Sequence, residues 1–230
     1  MAYMDNFESL YVSETYEQIS KHFSSTRYSH WTNVKDYIQQ INLIQSESES
    51  ESESKINFLD YGCGNGKYLS LCKQFNTTGF DNCENLLQIV KTNYPNTTIV
   101  KGDVCQLNIN LINNFDSIIC VAVIHHLSSI TRRIESIKNI IKYLKQGGTA
   151  LISVWSNNID KRKYTKLETE GDYLIGWNNQ YQRYYHLFEQ DELDKLIIEA
   201  DIDNEIKIVK KTLECDNWII VIEKKVEKDT

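Results

Sequence analysis

The chain has 230 residues, 41% hydrophobic and 25% charged, with a net charge of -7. That is enough to bury a full core as one domain, and it contains no apolar run long enough to span a membrane as a helix. The start, "MAYMDNFESLY", lacks the basic and apolar parts of a secretory signal, so a cytoplasmic address, with a nuclear one also open, is expected.

Helical periodicity is expected over roughly 12–44, within an N-terminal helical segment 1–45. A Ser/Glu repeat at 46–54 follows, which cannot bury apolar area and is expected to be a disordered loop. Four glutamates of this tract account for much of the acidity, and without them the net charge is about -3, so local patches can decide the partner. Short β-rich runs come next: "INFLDYG", "TTGFD", "TTIVKGD", "DSIICVAVI" and "GTALISVW". Between them lie helical stretches at 84–93 and 131–145, the second closed by "QGG". Alternation of strand and helix predicts a mostly parallel sheet with helices on both faces. The tail adds a helix in "FEQDELDKLIIEAD" and two strands, "EIKIVKKTL" and "WIIVIEKK", joined by the hairpin-like "ECDN". Residues 156–182 are read as a substrate-side insertion in a single domain, 1–230. Six cysteines form no C-x-x-C pair and are read as core thiols, with no metal site expected.

Chemistry first appears in "LDYGCGNGKYL". Gly62, Gly64 and Gly66 follow the first strand, where a glycine-rich turn lets a ligand approach the backbone and helix N-terminal amides. Such turns also bind dinucleotides, and a plain strand-to-helix turn is a further alternative. Three acids sharpen the reading. Asp60 precedes the turn, Asp81 ends the second strand where a carboxylate can accept ribose hydroxyls, and Asp103 ends the third. Carboxylates in a row suit a cofactor that carries positive charge and no phosphates, and S-adenosylmethionine meets that description.

These motifs and the late antiparallel pair resemble class I methyltransferases, with a seven-stranded Rossmann-like sheet. The resemblance implies that Asp60 and the turn from Gly62 through Cys63 and Gly64 to Gly66 hold the methionine part. It implies Asp81 for the ribose, Asp103 for the adenine amino group, and Val104 and Val121 as flanks of the cofactor.

A second constellation shares one composition. "FSSTRYSHW", "VIHHL", "TRR" and "RYYHLF" hold four of the five arginines and four of the five histidines, while lysine is nearly excluded. Arginine offers a planar fork for carboxylate or phosphate that lysine lacks. The bland reading is solvated helix charges and core aromatics. Together with "DYGCGNGKYL", "LKQGGTALISVW" and "DNWIIV", the segments resemble eukaryotic methyltransferases of the tRNA wobble uridine. Those convert 5-carboxymethyluridine to its methyl ester, and a related domain is fused to an AlkB-type dioxygenase in animals. The family usually carries a proline beside the tryptophan of this motif, where this chain has His30 and Thr32.

A carboxylate is already ionised at neutral pH, so its methylation needs orientation more than a base. Arg27, His125, Arg183, Tyr184 and His186 are expected at the reacting end. His126, Arg132, Arg133 and Tyr185 are expected on the tRNA anticodon loop, with the arginines on phosphates and a tyrosine stacked on an extruded base. The resemblance also implies a small zinc-containing activator protein at the sheet edge, with Ile109 and Leu111 as candidate contacts. A small-molecule methyltransferase and a non-catalytic cofactor-binding scaffold are the competing readings.

Overall fold

The computed structural model describes residues 7–47 and 55–227. Its frame is a seven-stranded sheet in the order β3-β2-β1-β4-β5-β10-β9. The strands are β1 (Asn57–Tyr61), β2 (Asn76–Asp81), β3 (Thr98–Lys101), β4 (Phe115–Val121), β5 (Leu144–Trp155), β9 (Ile206–Glu214) and β10 (Asn217–Lys224). Strands β1 to β5 pair in parallel, and β10 enters antiparallel to both β5 and β9. The hairpin between β9 and β10 turns on Cys215 and Asp216, both at positive φ. That is the backbone a two-residue turn needs to match the strand twist.

Both faces of the sheet are covered, which is why β4 reads as a nearly continuous apolar run. On one face α4 (Ile130–Tyr143) packs Ile134, Ile137, Ile140 and Ile141, spaced at helical period, against Leu59, Ile118 and Ile152. On the other, α2 (Thr32–Glu47) packs Val34, Tyr37, Ile38 and Ile41 against Phe58, Leu151, Ile219 and Val221. The N-terminal helices are therefore part of the core. Before α2 comes α1 (Glu14–Ser24), preceded by a π-helical turn at Ser9–Ser13. Helix α2 runs to Glu47, taking in the first two residues of the Ser/Glu repeat, and the rest, 48–54, lies outside the described residues.

Helix α4 stops at Tyr143, two residues before the expected end, and "QGG" lies within β5 instead of closing the helix. The segment 156–182 contributes to a separate three-stranded antiparallel sheet: β6 (Tyr164–Lys166), β7 (Asp172–Trp177) and β8 (Tyr181–His186). Helix α3 (Glu84–Asn93) follows β2, and α5 (Glu192–Ala200) follows β8.

Candidate active site

Strand order reverses between β1 and β4, so a crevice opens at the carboxyl ends of the parallel strands. A cavity of about 780 Å³ occupies it, roofed by the π-helical turn and α1. At the β1 end the turn Gly62, Gly64, Gly66 has positive φ throughout. A side chain at Gly62 would put its Cβ 2.2 Å from Val123 Cγ2, so the approach of β1 to β4 here requires glycine. Gly66 does not face the cavity; it packs against Leu69, Val90 and Tyr94 and lets the chain turn under α3.

Asp60, Cys63, Gly64, Asp81, Asp103, Val104 and Val121 all line the cavity. Asp60 is 2% exposed, and its Oδ2 has no hydrogen-bond partner among the described residues. Burial, then the neighbouring Asp81, pushes its carboxyl up to about 7. Asp81 accepts from the Gly64 amide at 2.8 Å and the Cys83 amide at 2.9 Å, which holds the turn closed over it. Asp103 spends one oxygen on the Cys105 amide and the other on Arg132 at 2.8 Å. The Val104 carbonyl is fixed by Tyr61 Oη at 2.6 Å and Asn139 Nδ2 at 2.9 Å. An orphaned buried carboxylate, a turn only glycine can make and a second carboxylate with spare lone pairs fit a cationic cofactor bearing a ribose.

The other half of the cavity is aromatic and cationic. Beyond β4, Ala122 sits at φ 61°, and a 3₁₀ turn, Ile124–His126, brings both histidines back over the crevice. Such a strained residue belongs where the chain must re-aim side chains. His125 Nδ1 accepts from the Trp155 amide at 3.2 Å, so its proton is on Nε2. Its ring stacks on Tyr185 at 4.9 Å between centroids. His126 donates from Nδ1 to the Tyr184 carbonyl at 2.8 Å. Burial holds His125 well below the usual histidine range and His126 down to about 3, so both rings are neutral.

Arg27 lines the cavity, while Arg183 lies directly behind Tyr16 and Tyr185, which do. Both guanidiniums face the Trp177 ring, at 5.5 and 4.5 Å from its centroid. Arg183 is 4% exposed, and its Nε has no partner among the described residues. Among the described residues the arginine ion pairs fall on Arg132, Arg133 and Arg162, never on Arg27 or Arg183. A buried cation with no carboxylate beside it is costly unless something supplies the anion.

Three expected site residues stand elsewhere. Side chains alternate along a strand, so Tyr185 faces the cavity with Arg183 behind it on the same side of β8, while Tyr184 and His186 face the opposite way. There Tyr184 Oη donates to Asp172 at 2.8 Å, and His186 donates to Asp172 at 2.6 Å and Glu192 at 2.7 Å. Burial pulls His186 down, but those two carboxylates win and raise it. Arg133 joins this closed cluster, donating to the Leu127 carbonyl and Tyr184 Oη, with Asp172 and Glu192 alongside. At 5% exposure it is not available to phosphate. Arg132 does line the cavity, but Glu8 and Asp103 already hold it. Leu111 is buried in the core, while Ile109 is 74% exposed.

Residues that the sequence reading passed over complete the wall: Glu8, Tyr16, Phe23, Trp31, Lys67 and Trp155. Lys67 stood in view, beside the last glycine of the turn. Burial and the nearby Arg27 bring it down to about 8. Glu8 and Tyr16 had no local signal.

A glycine turn and three carboxylates at the switch point of this sheet define a Rossmann-like methyltransferase. A family model described as a methyltransferase domain matches residues 30–205. A solved S-adenosylmethionine-dependent methyltransferase from Clostridium acetobutylicum shares the fold, with a TM-score of 0.65 at 14% identity over 86% of this chain and 93% of that one. So does a chain of the complex between the Haloferax volcanii Trm112 methyltransferase activator and the putative methyltransferase, with a TM-score of 0.59 at 11% identity over 85% and 95%. Closer in sequence is the Schizosaccharomyces pombe tRNA (carboxymethyluridine(34)-5-O)-methyltransferase, 30% identical over 95% of this chain and 98% of its own. The chain belongs to that family of tRNA wobble-uridine methyltransferases.

Proposed function

We propose that the protein uses S-adenosylmethionine to esterify the carboxylate of 5-carboxymethyluridine at the wobble position of tRNA. The observation that carries this reading is Arg183, a buried guanidinium without a carboxylate partner among the described residues, beside an aromatic wall. An extruded uridine carrying a carboxylate supplies what the site lacks: an anion for the fork and a flat ring for Tyr185 and Trp177.

Asp60 and Asp81 would hold the cofactor's ammonium and ribose, and the bound cofactor supplies a methyl group on a positively charged sulfur. This chain's own residues then orient the acceptor. The carboxylate is its own nucleophile, so no general base is needed. Arg183 grips it, and His125 offers a neutral Nε2 donor. Because His125 is uncharged, it adds a hydrogen bond without a second positive charge beside the attacking oxygen, while His126 has both nitrogens engaged within the protein. Arg27 lines the cavity with its guanidinium over the Trp177 ring.

The reading extends to a partner and a place. Strand β3 is an edge of the sheet, and Leu107, Ile109 and Ile112 leave 41%, 74% and 40% of their surface exposed after it. A small zinc-containing activator pairing there would cover them; that a structural neighbour is named as a chain in complex with a methyltransferase activator is in keeping with a partner of this kind. A cytoplasmic location, where tRNA is abundant, completes the proposal. The test is nucleoside mass analysis of tRNA from cells lacking the protein. Accumulated carboxymethyluridine with loss of its methyl ester is expected; unchanged tRNA alongside a changed small-molecule acid would favour the small-molecule reading.

A further inference from the structure

Tyr16 belongs to no motif of the sequence, yet its hydroxyl sits where the cavity's two halves meet. It lies 3.0 Å from His126 Nε2, and Arg183 Nη1 approaches it at 3.5 Å. The direction of each bond is fixed. The Tyr184 carbonyl can only accept, so His126 Nδ1 carries the proton; the neutral ring's Nε2 is then an acceptor, and Tyr16 must donate to it. The Tyr16 oxygen keeps its lone pairs for Arg183. A chain of bonds therefore runs from a backbone carbonyl of β8 through His126 and Tyr16 to the guanidinium.

Resting on the activity proposed above, we infer that Tyr16 is a positioning residue for the substrate carboxylate. Its oxygen takes one N–H of Arg183 and thereby turns the remaining fork, including the unpartnered Nε, toward the acceptor. The rings of Trp177 and Tyr185 set the height of the guanidinium plane but leave its rotation free. Only a directional partner fixes rotation, and among the described residues Tyr16 is the one recorded for a nitrogen of Arg183. The anchor for Tyr16 comes from the cofactor side. The next residue, Glu17, accepts from the amides of Glu84 at 2.6 Å and Asn85 at 3.0 Å, the exposed N–H groups at the start of α3. That helix begins immediately after the Asp81–Cys83 turn. One turn of α1 thus ties the arginine fork to the ribose end.

The experiment compares wild type, Tyr16→Phe, Arg183→Lys and the double variant on an RNA anticodon stem-loop bearing carboxymethyluridine. It measures turnover, melting temperature, cofactor affinity, and the binding preference for that stem-loop over one with plain uridine. Tyr16→Phe keeps the ring contact with Phe23 and removes only the hydroxyl. We expect kcat/KM and the binding preference each to fall on the order of tenfold, as for one hydrogen bond to a charged group. Cofactor affinity and melting should hardly change. The double variant should lose little more than Arg183→Lys alone, because Tyr16 acts through that arginine. If Tyr16→Phe does not fold, His126→Asn carries the same test, keeping a donor for the Tyr184 carbonyl and removing the acceptor of Tyr16. Unchanged preference and kcat/KM, or losses that simply add to those of Arg183→Lys, overturn the inference. A wild type that prefers the carboxymethyl stem-loop without methylating it would sink the activity reading and leave the Tyr16 comparison decided by binding alone. A wild type with neither property overturns both.

Discussion

Replacing Arg183 by lysine keeps the charge and removes the fork, so it isolates what the geometry contributes. The guanidinium has five N–H donors, of which one meets Tyr16 and Nε meets no partner among the described residues. A lysine ammonium reaching the same place can hold one carboxylate oxygen but cannot present two parallel donors. The loss is one hydrogen bond between charged groups, about 1.5–3 kcal/mol. At about 1.4 kcal/mol per decade, kcat/KM should fall roughly 10- to 150-fold. The cation remains over Trp177, so folding should be preserved, and the cofactor carboxylates on β1 and β2 are untouched. The assay is methyl transfer to a carboxymethyluridine stem-loop, with cofactor affinity measured by calorimetry. Arg162→Lys is the control, since Arg162 has an 87% exposed side chain and already pairs with Asp160; it should change nothing. An Arg183→Lys protein with wild-type kcat/KM, or one that loses cofactor affinity in step with activity, would refute the carboxylate-clamp role.

Asp60 makes the unliganded protein pH-sensitive. Its folded-state pKa of about 7 lies above its unfolded value, so its contribution is full in acid and is lost as pH rises through about 7, a change on the order of 4 kcal/mol. Asp60→Asn should flatten this part of the melting profile, and in wild type cofactor affinity should rise with pH up to about 7 as the carboxylate ionises; a pH-independent affinity would contradict the assignment. Arg133→Ala should destabilise by about 3–5 kcal/mol, because Asp172 and Glu192 lose a buried partner. Denaturant titration reads that loss, while the salt dependence of RNA binding should stay as in wild type; a flattened dependence would return Arg133 to the RNA surface. The methyl ester product, having no charge for Arg183, should bind at least tenfold more weakly than the carboxylate stem-loop in an anisotropy titration; equal binding would contradict recognition by charge.

The cofactor half was legible because its signals are local. A glycine turn at a strand end and an acid closing the next strand sit within a few residues of the backbone they shape, and the structure puts Asp60, Gly62, Gly64 and Asp81 around one cavity. The substrate half was legible in composition but not in direction. In "RYYH" successive residues leave opposite faces of β8, so a motif that reads as one unit divides between the cavity and a buried ion cluster. In "TRR" the two arginines are about 100° apart around α4, and one meets the cavity while the other enters the core. Tyr16 was illegible for a different reason. Its partners lie 110 and 167 residues away, and no pattern near it announces them.

Why does one sheet end carry carboxylates and free guanidiniums so close together without their pairing? Arg132 shows the ordinary outcome, since Asp103 and Glu8 close on it. Arg183 escapes that fate because β8 brings it in from the small sheet, behind Tyr16 and Tyr185, where its hydrogen bond goes to a phenol. Asp60 escapes because β1 buries it beside Asp81, two residues before the Gly62–Val123 contact. His125 and His126 stand on the chain just past that contact, and as neutral rings they neither satisfy Asp60 nor repel a carboxylate as an anion would. The fold thus holds, at one cavity and directly behind its wall, a buried carboxyl oxygen and a buried guanidinium N–H that have no partner among the described residues. A cationic methyl donor and an anionic acceptor, arriving together, satisfy both at once and meet between them.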